Sequence, residues 1–219
     1  MKIGTDGVLL GAWCRAEGAR RVLDVGTGAG VIALMVAQRQ PMAQVDAVEI
    51  DLDSCQEAEL NFASSPWSGR LRAIHADFNQ FAAQCQERYD LIVSNPPFFT
   101  NGALPPAARR MAARHCVSLN YSQLIGGASR LMAEGGRICL IAPHDADALV
   151  TAAAEESRLC PARRIDVFPK PGAPAIRTLW ELSAENRGTE SGTLTIESDI
   201  PGQFSAPYVA LTGAFYLNM

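Results

Sequence analysis

Short apolar runs alternate along most of the chain with longer segments of helical spacing. Continuous apolar runs are typical of strands that are buried on both faces, as in a parallel sheet covered by helices. The pattern predicts strands at 21–26, 43–50, 71–76, 89–95, 136–142, 162–168 and 176–183. It predicts helices at 30–40, 52–63, 78–86, 121–133 and 145–159.

The order of these elements predicts an α/β fold with a Rossmann-like, doubly wound sheet of seven strands, most of them parallel. Helices fall between the first six strands, as parallel connections require. The link before the last strand is too short for a crossover helix and contains the turn segment 170–174, which reads Lys-Pro-Gly-Ala-Pro. We therefore expect the seventh strand to be antiparallel.

Two segments lie outside this alternation. Residues 101–120 follow the fourth strand, are rich in Ala and Arg and exceed the length of an ordinary βα loop, so they are a candidate substrate loop. Residues 185–219 contain a Gly/Ser/Thr linker and an apolar end, and we expect them to form a short C-terminal appendage. A single domain over 1–219 accommodates both, because 219 residues suit one α/β domain.

Composition excludes several classes of protein. With 48% hydrophobic and 19% charged residues the chain is neither disordered nor fibrous, and its apolar runs are too short to span a bilayer. Its six cysteines show no C-x-x-C pair and no histidine at metal-ligand spacing, so we expect reduced thiols and no metal. These cysteines, together with the lack of an apolar leader after Met1, predict a cytoplasmic protein.

Three glycines at alternate positions, Gly26, Gly28 and Gly30, lie between the first predicted strand and the first predicted helix. Glycine permits a sharp turn and a close approach of ligand to backbone, and the helix start supplies unpaired N–H groups. The spacing is G-x-G-x-G with Asp24 two residues ahead, whereas nicotinamide-binding turns read G-x-G-x-x-G. The difference favours S-adenosylmethionine over NAD. A glycine turn that binds nothing is the alternative.

Acidic residues end the next two predicted strands. Glu49 follows the glycines by about twenty residues, where the ribose hydroxyls of a nucleoside cofactor are usually accepted. Asp51 and Asp53 are expected to cap the following helix. Asp77 either caps the helix after the third strand or accepts the amino group of adenine, and in the second case Phe78 covers the adenine ring.

The fourth strand leads into the segment Asn95-Pro96-Pro97-Phe98, the most specific feature of the chain. Prolines fix the backbone and remove N–H donors, so the carbonyls near Asn95 and Pro96 can face a substrate as rigid acceptors. Together with the Asn95 side chain they would hold an exocyclic amine with its lone pair toward a methyl sulfonium, while Phe98 stacks on the base. Such catalysis works through alignment and electrostatics. A proline-stiffened loop without a ligand is the alternative.

Positive charge is concentrated in the candidate substrate loop. The chain carries 19 Lys and Arg against 23 Asp and Glu, so binding of RNA would need a local basic cluster. Arg109, Arg110 and Arg114 form the densest one, and the last two share a face at helical spacing. They either contact RNA phosphates or form a solvated helix face.

The glycine loop combined with Asn-Pro-Pro-Phe resembles the Rossmann-type methyltransferases that act on planar amino nitrogens. Residues 2–13, 65–67 and 208–217 further resemble the bacterial valine-tRNA adenosine-37 N6-methyltransferase family, and the likeness covers nearly the whole chain. It implies an S-adenosylmethionine-dependent, monomeric tRNA-binding enzyme that methylates N6 of the adenosine beside the anticodon. It also implies that segment 1–20 covers the cofactor and brings Thr5 and Asp6 to the methionine moiety.

Two departures from this family leave other interpretations open. Family members carry a further segment before the Lys-x-Gly-Thr-Asp stretch, so we expect an N-terminal lid or RNA contact to be missing here. Phe98 stands where many adenine N6 enzymes have Tyr. Asn-Pro-Pro-Phe also resembles guanine N2 methyltransferases of ribosomal RNA, and Asn-Pro-Pro resembles protein-glutamine methyltransferases. Both activities, and a non-catalytic S-adenosylmethionine-binding RNA scaffold, are alternatives to tRNA methylation.

Overall fold

The computed structural model describes residues 4–97 and 119–216. Within them the strands are β1 (Arg21–Val25), β2 (Gln44–Glu49), β3 (Leu71–His75), β4 (Tyr89–Ser94), β5 (Met132–Pro143), β6 (Cys160–Phe168), β7 (Arg177–Ser183) and β8 (Glu190–Thr195). The helices are α1 (Thr5–Trp13), α2 (Val31–Arg39), α3 (Leu52–Ala63), α4 (Phe78–Gln84), α5 (Tyr121–Leu131), α6 (Asp147–Glu156) and α7 (Ala206–Thr212). The strands form one sheet in the order β3-β2-β1-β4-β5-β7-β6-β8.

The sheet confirms the predicted topology of a mostly parallel, Rossmann-like fold. Strands β3, β2, β1, β4 and β5 are parallel neighbours. Strand β7 runs antiparallel to both β5 and β6, as the short link before it predicts. Because two reversals restore the original direction, β6 ends at the same edge of the sheet as β1 to β5.

The pattern of apolar residues missed three elements, β8, α1 and α7. Strand β8 is parallel to β6 and makes eight strands in the described chain where we expected seven. It is an edge strand and is largely exposed before Leu194, so it lacks the apolar run of a central strand. Helix α1 is buried from Gly7 to Trp13 on almost every side. Its sequence therefore shows no amphipathic period.

Helices cover both faces of the sheet and leave the carboxyl ends of the parallel strands open to the loops. One apolar cluster joins α1, α2 and α3 to the sheet through Leu9, Val36 and Phe62. A second cluster on the other face includes Leu124 of α5 and Val150 of α6. Each layer buries continuous apolar surface, which is the main stabilising contribution to such a fold. Among the described helices none is both long and apolar enough to cross a bilayer.

Candidate functional site

The glycine loop turns at the carboxyl end of β1 through left-handed backbone conformations. Its φ angles are 71° at Gly26, 57° at Gly28 and 85° at Gly30, a region that side chains with a Cβ rarely adopt. The N–H groups of Gly26 and Thr27 donate to the Val48 carbonyl at 2.8 and 3.2 Å. These bonds fix the loop to the end of β2.

Two of these glycines face different surroundings. A Cβ on Gly30 would lie 2.4 Å from Cε1 of Phe62, so packing on α3 excludes a side chain there. A Cβ on Gly26 would meet no atom of the described residues within 4 Å. The backbone at Gly26 therefore borders open space, which lets a ligand lie directly against it.

Asp24 lies beneath the loop and is fully buried. Its Oδ2 accepts hydrogen bonds from Thr27 Oγ1 at 2.6 Å and from the Ala33 N–H at 3.2 Å. These contacts join β1, the loop and the first turn of α2. Burial, with a smaller contribution from Glu49, raises the pKa of Asp24 to about 7. Its Oδ1 is also buried and has no hydrogen-bond partner within the described chain.

Glu49 at the end of β2 is held by two backbone groups. Its Oε2 accepts from the Gly28 N–H at 2.8 Å, and its Oε1 accepts from the Asp51 N–H at 2.9 Å. Each carboxylate oxygen retains a further lone pair, so ribose hydroxyls could donate without displacing these bonds. The geometry fits the predicted ribose ligand. Asp51 caps α3 through Ser54, as predicted, whereas Asp53 lies in the first turn of that helix.

Asp77 and Phe78, which follow β3, have structural contacts of their own. Asp77 caps α4, because its Oδ1 accepts from the Gln80 N–H at 3.0 Å. Phe78 is only 5% exposed. A Cβ on Gly127 of α5 would approach its ring within 2.7 Å. Phe78 is therefore a core residue here with little ring surface for a ligand, and contact of either side chain with adenine stays a prediction.

Asn95 and Pro96 follow β4 next to the glycine loop. Ser94 Oγ donates to the Val25 carbonyl at 2.8 Å and so joins the ends of β4 and β1. Asn95 is half-buried, Pro96 is buried and Pro97 is exposed. A Cβ on Gly7 of α1 would lie 4.0 Å from Asn95 Nδ2, so the first turn of α1 borders the Asn95 amide.

The start of α1 carries Thr5, which is exposed, and Asp6, which is half-buried. Asp6 Oδ2 accepts from Arg177 Nε at 2.9 Å, across 171 positions of the chain. No motif or periodic pattern in the sequence singles out Arg177. Its only local signal is its place at the start of a strand after the Pro-Gly turn, and the contact with Asp6 depends on strand order. Contact of Thr5 or Asp6 with a cofactor stays a prediction.

Several predicted residues lie outside the described part of the chain. They are Phe98 and the three loop arginines, Arg109, Arg110 and Arg114. Stacking on a base by Phe98 and binding of phosphates by the arginines therefore stay predictions. The described part of the site consists of the glycine loop, Glu49, Asn95 and the first turn of α1, which lie around the ends of β1, β2 and β4.

His144 after β5, Asp147 at the start of α6 and Asp166 within β6 lie close together, as metal ligands do. The ligand atoms of His144, Asp147 and Asp166 lie within 4.8 Å of one another. However, the Arg164 guanidinium forms ion pairs with both carboxylates, at 3.0 Å to Asp166 Oδ1 and closer to Asp147. Arg164 already provides the positive charge between them. The cluster is therefore an ion-pair network that joins β6 to α6.

Comparison with known proteins gives consistent matches. The model of the methyltransferase small domain family matches residues 7–151. The chain is 41% identical to the tRNA1(Val) (adenine(37)-N6)-methyltransferase of Trichodesmium erythraeum, over 100% of this chain and 92% of the relative. It is 40% identical to the protein of that name from Yersinia enterocolitica, over 100% and 87%. The crystal structure of a predicted O-methyltransferase from Agrobacterium tumefaciens shares the fold, with a TM-score of 0.77, 22% identity and coverage of 95% and 96%.

Proposed function

Because the chain belongs to the methyltransferase small domain family and, within it, to the tRNA1(Val) (adenine(37)-N6)-methyltransferases, we propose that it methylates N6 of adenosine 37 in valine tRNA. The methyl donor is S-adenosylmethionine. The observation that carries this assignment is the convergence of the glycine loop, Glu49 and Asn95 at one edge of the sheet. Relatives of similar length that share about 40% of the sequence carry this activity in their names.

The described residues fit S-adenosylmethionine, which supplies an electrophilic methyl group when it is bound. The backbone at Gly26 borders open space, and Glu49 is oriented by two N–H groups with acceptor capacity left for ribose hydroxyls. The buried Oδ1 of Asp24 lies beneath the same loop and has no hydrogen-bond partner among the described residues. Backbone N–H groups at the start of α2 complete a site for a nucleoside ligand.

Asn95 and Pro96 orient the target amine. The Asn95 side-chain oxygen accepts one hydrogen of the exocyclic amine, and the Pro96 carbonyl accepts the other. These two bonds turn the nitrogen lone pair toward the methyl group, and alignment of this kind lowers the barrier without a covalent enzyme intermediate. Nitrogen would gain positive charge as its bond to the methyl carbon formed and the carbon–sulfur bond broke, with S-adenosylhomocysteine as the leaving group. The two acceptors would stabilise that charge until the product amine lost a proton to water.

The target base must leave its stack to reach Asn95, and an anticodon loop permits this at low energetic cost. Phe98, three residues beyond Asn95, stacks on the unstacked base. Arg109, Arg110 and Arg114 hold the neighbouring phosphates, since the loop that carries them follows directly from Asn95. Asp77 borders the adenine of the cofactor, and Thr5 and Asp6 border its methionine moiety. The enzyme acts in the cytoplasm as a monomer of one domain, and its C-terminal segment adds β8 to the edge of the sheet.

The test is transfer of labelled methyl groups from S-adenosylmethionine to unmodified valine tRNA, followed by nucleoside digestion. We expect N6-methyladenosine from this transcript and no product from a transcript with guanosine at position 37. Ribosomal RNA serves as the competing substrate. N2-methylguanosine from it would change the target base from adenine to guanine and would leave the proposed role of Asn95 unchanged. Methylation of a glutamine-containing peptide, with no methylation of RNA, would show that the substrate is a protein.

A further inference from the structure

Helix α1 forms one wall of the site, because its first turn borders Asn95 and carries Asp6. The contacts that hold this helix therefore influence the space between cofactor and target amine. Its N-cap residue, Gly4, has no side chain to cap the first N–H groups. The position of the first turn must be fixed by other contacts.

The carboxyl end of α1 is held by two arginines. Arg39 of α2 donates through Nη1 to the carbonyls of Gly11 at 2.7 Å and Cys14 at 2.8 Å. Arg163 of β6 donates to the Trp13 carbonyl at 3.0 Å and lies over the Trp13 ring at 4.0 Å. These contacts fix the end of the helix that is remote from Asn95.

At the first turn the corresponding contact is the ion pair between Asp6 and Arg177, 2.9 Å long. Arg177 pairs with Pro143, so it lies beside the carboxyl end of β5. Its Nη1 donates to the Ile176 carbonyl at 2.9 Å, and that carbonyl also accepts from the His144 N–H at 3.2 Å. The guanidinium is thereby fixed to the sheet at the edge that carries Asn95.

We propose that Arg177 is a positioning residue of the active site: through Asp6 it holds the first turn of α1 against Asn95 and keeps the cofactor space in shape. This inference rests on the proposed function, since it concerns the S-adenosylmethionine site. Arg177 also lies outside residues 7–151, the part of the chain that the family model matches. Strand β7, which lies beyond the matched region, thus contributes to the site.

The partial exposure of the Arg177–Asp6 ion pair distinguishes a role in positioning α1 from a general role in folding. The side chains of Arg177 and Asp6 are 27% and 22% exposed. Ion pairs that remain in contact with water contribute little to global stability. Loss of the pair should therefore release the first turn of α1 locally while the core stays intact. Lysine can restore the charge, but it has no planar fork to bond Asp6 and the Ile176 carbonyl together.

The test is calorimetric binding of S-adenosylhomocysteine, the cofactor product, which needs no RNA. We expect Arg177→Ala to raise the Kd about fivefold and Arg177→Lys to restore part of the affinity. The melting temperature of the ligand-free Arg177→Ala protein should stay within about 2 °C of the unchanged protein. Arg187→Ala is the matched control, because it removes an arginine of an exposed pair with Glu185 away from α1, and its Kd should not change.

A double-mutant cycle with Asp6→Asn tests whether Arg177 acts through Asp6. If it does, the double variant binds no more weakly than the weaker single variant. Unchanged affinity of Arg177→Ala, or additive losses in the cycle, would overturn the inference while leaving the proposed function intact. A fall in melting temperature with no change in Kd would also overturn it. Failure of the unchanged protein to bind S-adenosylhomocysteine would instead overturn the proposed function, and the inference with it.

Discussion

The Oε2 atom of Glu49 accepts a hydrogen bond from the Gly28 N–H at 2.8 Å, so the end of β2 and the glycine loop after β1 form one unit. The second carboxylate oxygen is held by the Asp51 N–H at the start of α3. The carboxylate therefore keeps one orientation without a ligand. Such preorganisation lowers the entropic cost of binding, because the protein group that receives the ligand is already ordered.

Glu49→Gln should weaken cofactor binding at least about tenfold, because a neutral amide is a weaker acceptor and directs an NH2 group at one of the two N–H donors. The measurement is the Kd for S-adenosylhomocysteine. Asp53→Asn is the matched control, since it removes an acidic charge from the first turn of α3. Equal effects of the two substitutions would show that general charge and not the position of Glu49 determines binding.

Gly26→Ala should abolish measurable cofactor binding, because its Cβ projects into the open space beside the loop. The matched control is Gly18→Ala, at a residue with φ 80° and likewise open surroundings. Both substitutions place alanine in the left-handed region, so both should lower the free energy of unfolding by about 1–2 kcal/mol. Only Gly26→Ala should lose affinity. Similar affinity in the two variants would exclude the Gly26 backbone from the cofactor site.

Asn95→Ala should reduce kcat for valine tRNA by about 100-fold or more, because the target amine loses an acceptor that aligns it. The Kd for S-adenosylhomocysteine should change less than about threefold. Asn186→Ala, at an exposed asparagine between β7 and β8, is the control and should leave both quantities unchanged. Turnover at the normal rate in Asn95→Ala would remove this side chain from the mechanism.

Stability should depend on pH through Asp24, whose pKa is raised by burial from an ordinary value of 3.8 to about 7. Between these values the unfolded chain releases the proton and the folded chain keeps it, so the free energy of unfolding falls as pH rises. Above pH 7 or so the loss is complete. Urea unfolding at about pH 5 and at about pH 8 measures this decrease in the free energy of unfolding.

Asp24→Asn provides the comparison, because it keeps the shape of the side chain and removes its titration. We expect a smaller loss of stability between the two pH values in this variant than in the unchanged protein. Parallel pH profiles of the two proteins would assign the dependence to other groups.

Local features of the sequence determined much of the fold and of the site. The glycine spacing after an apolar strand predicts the left-handed turn at Gly26 to Gly30, because the conformational freedom of glycine is a property of single residues. Apolar runs and turn segments also predicted the strands up to β7 and its reversed direction. Asp51 could be identified as a cap because a cap bonds an N–H group only three residues away.

Only the tertiary structure decided the contacts between distant segments. The Asp6–Arg177 pair joins residues 171 positions apart, and no periodic pattern encodes it. Helix α1 is buried from Gly7 to Trp13, and β8 is an exposed edge strand, so neither carries the apolar period by which helices and strands are recognised. Phe78 lies in the core because Gly127 of another helix leaves room for its ring. These contacts and burial patterns follow from the order of the strands in the sheet. That order depends on the packing of the whole chain.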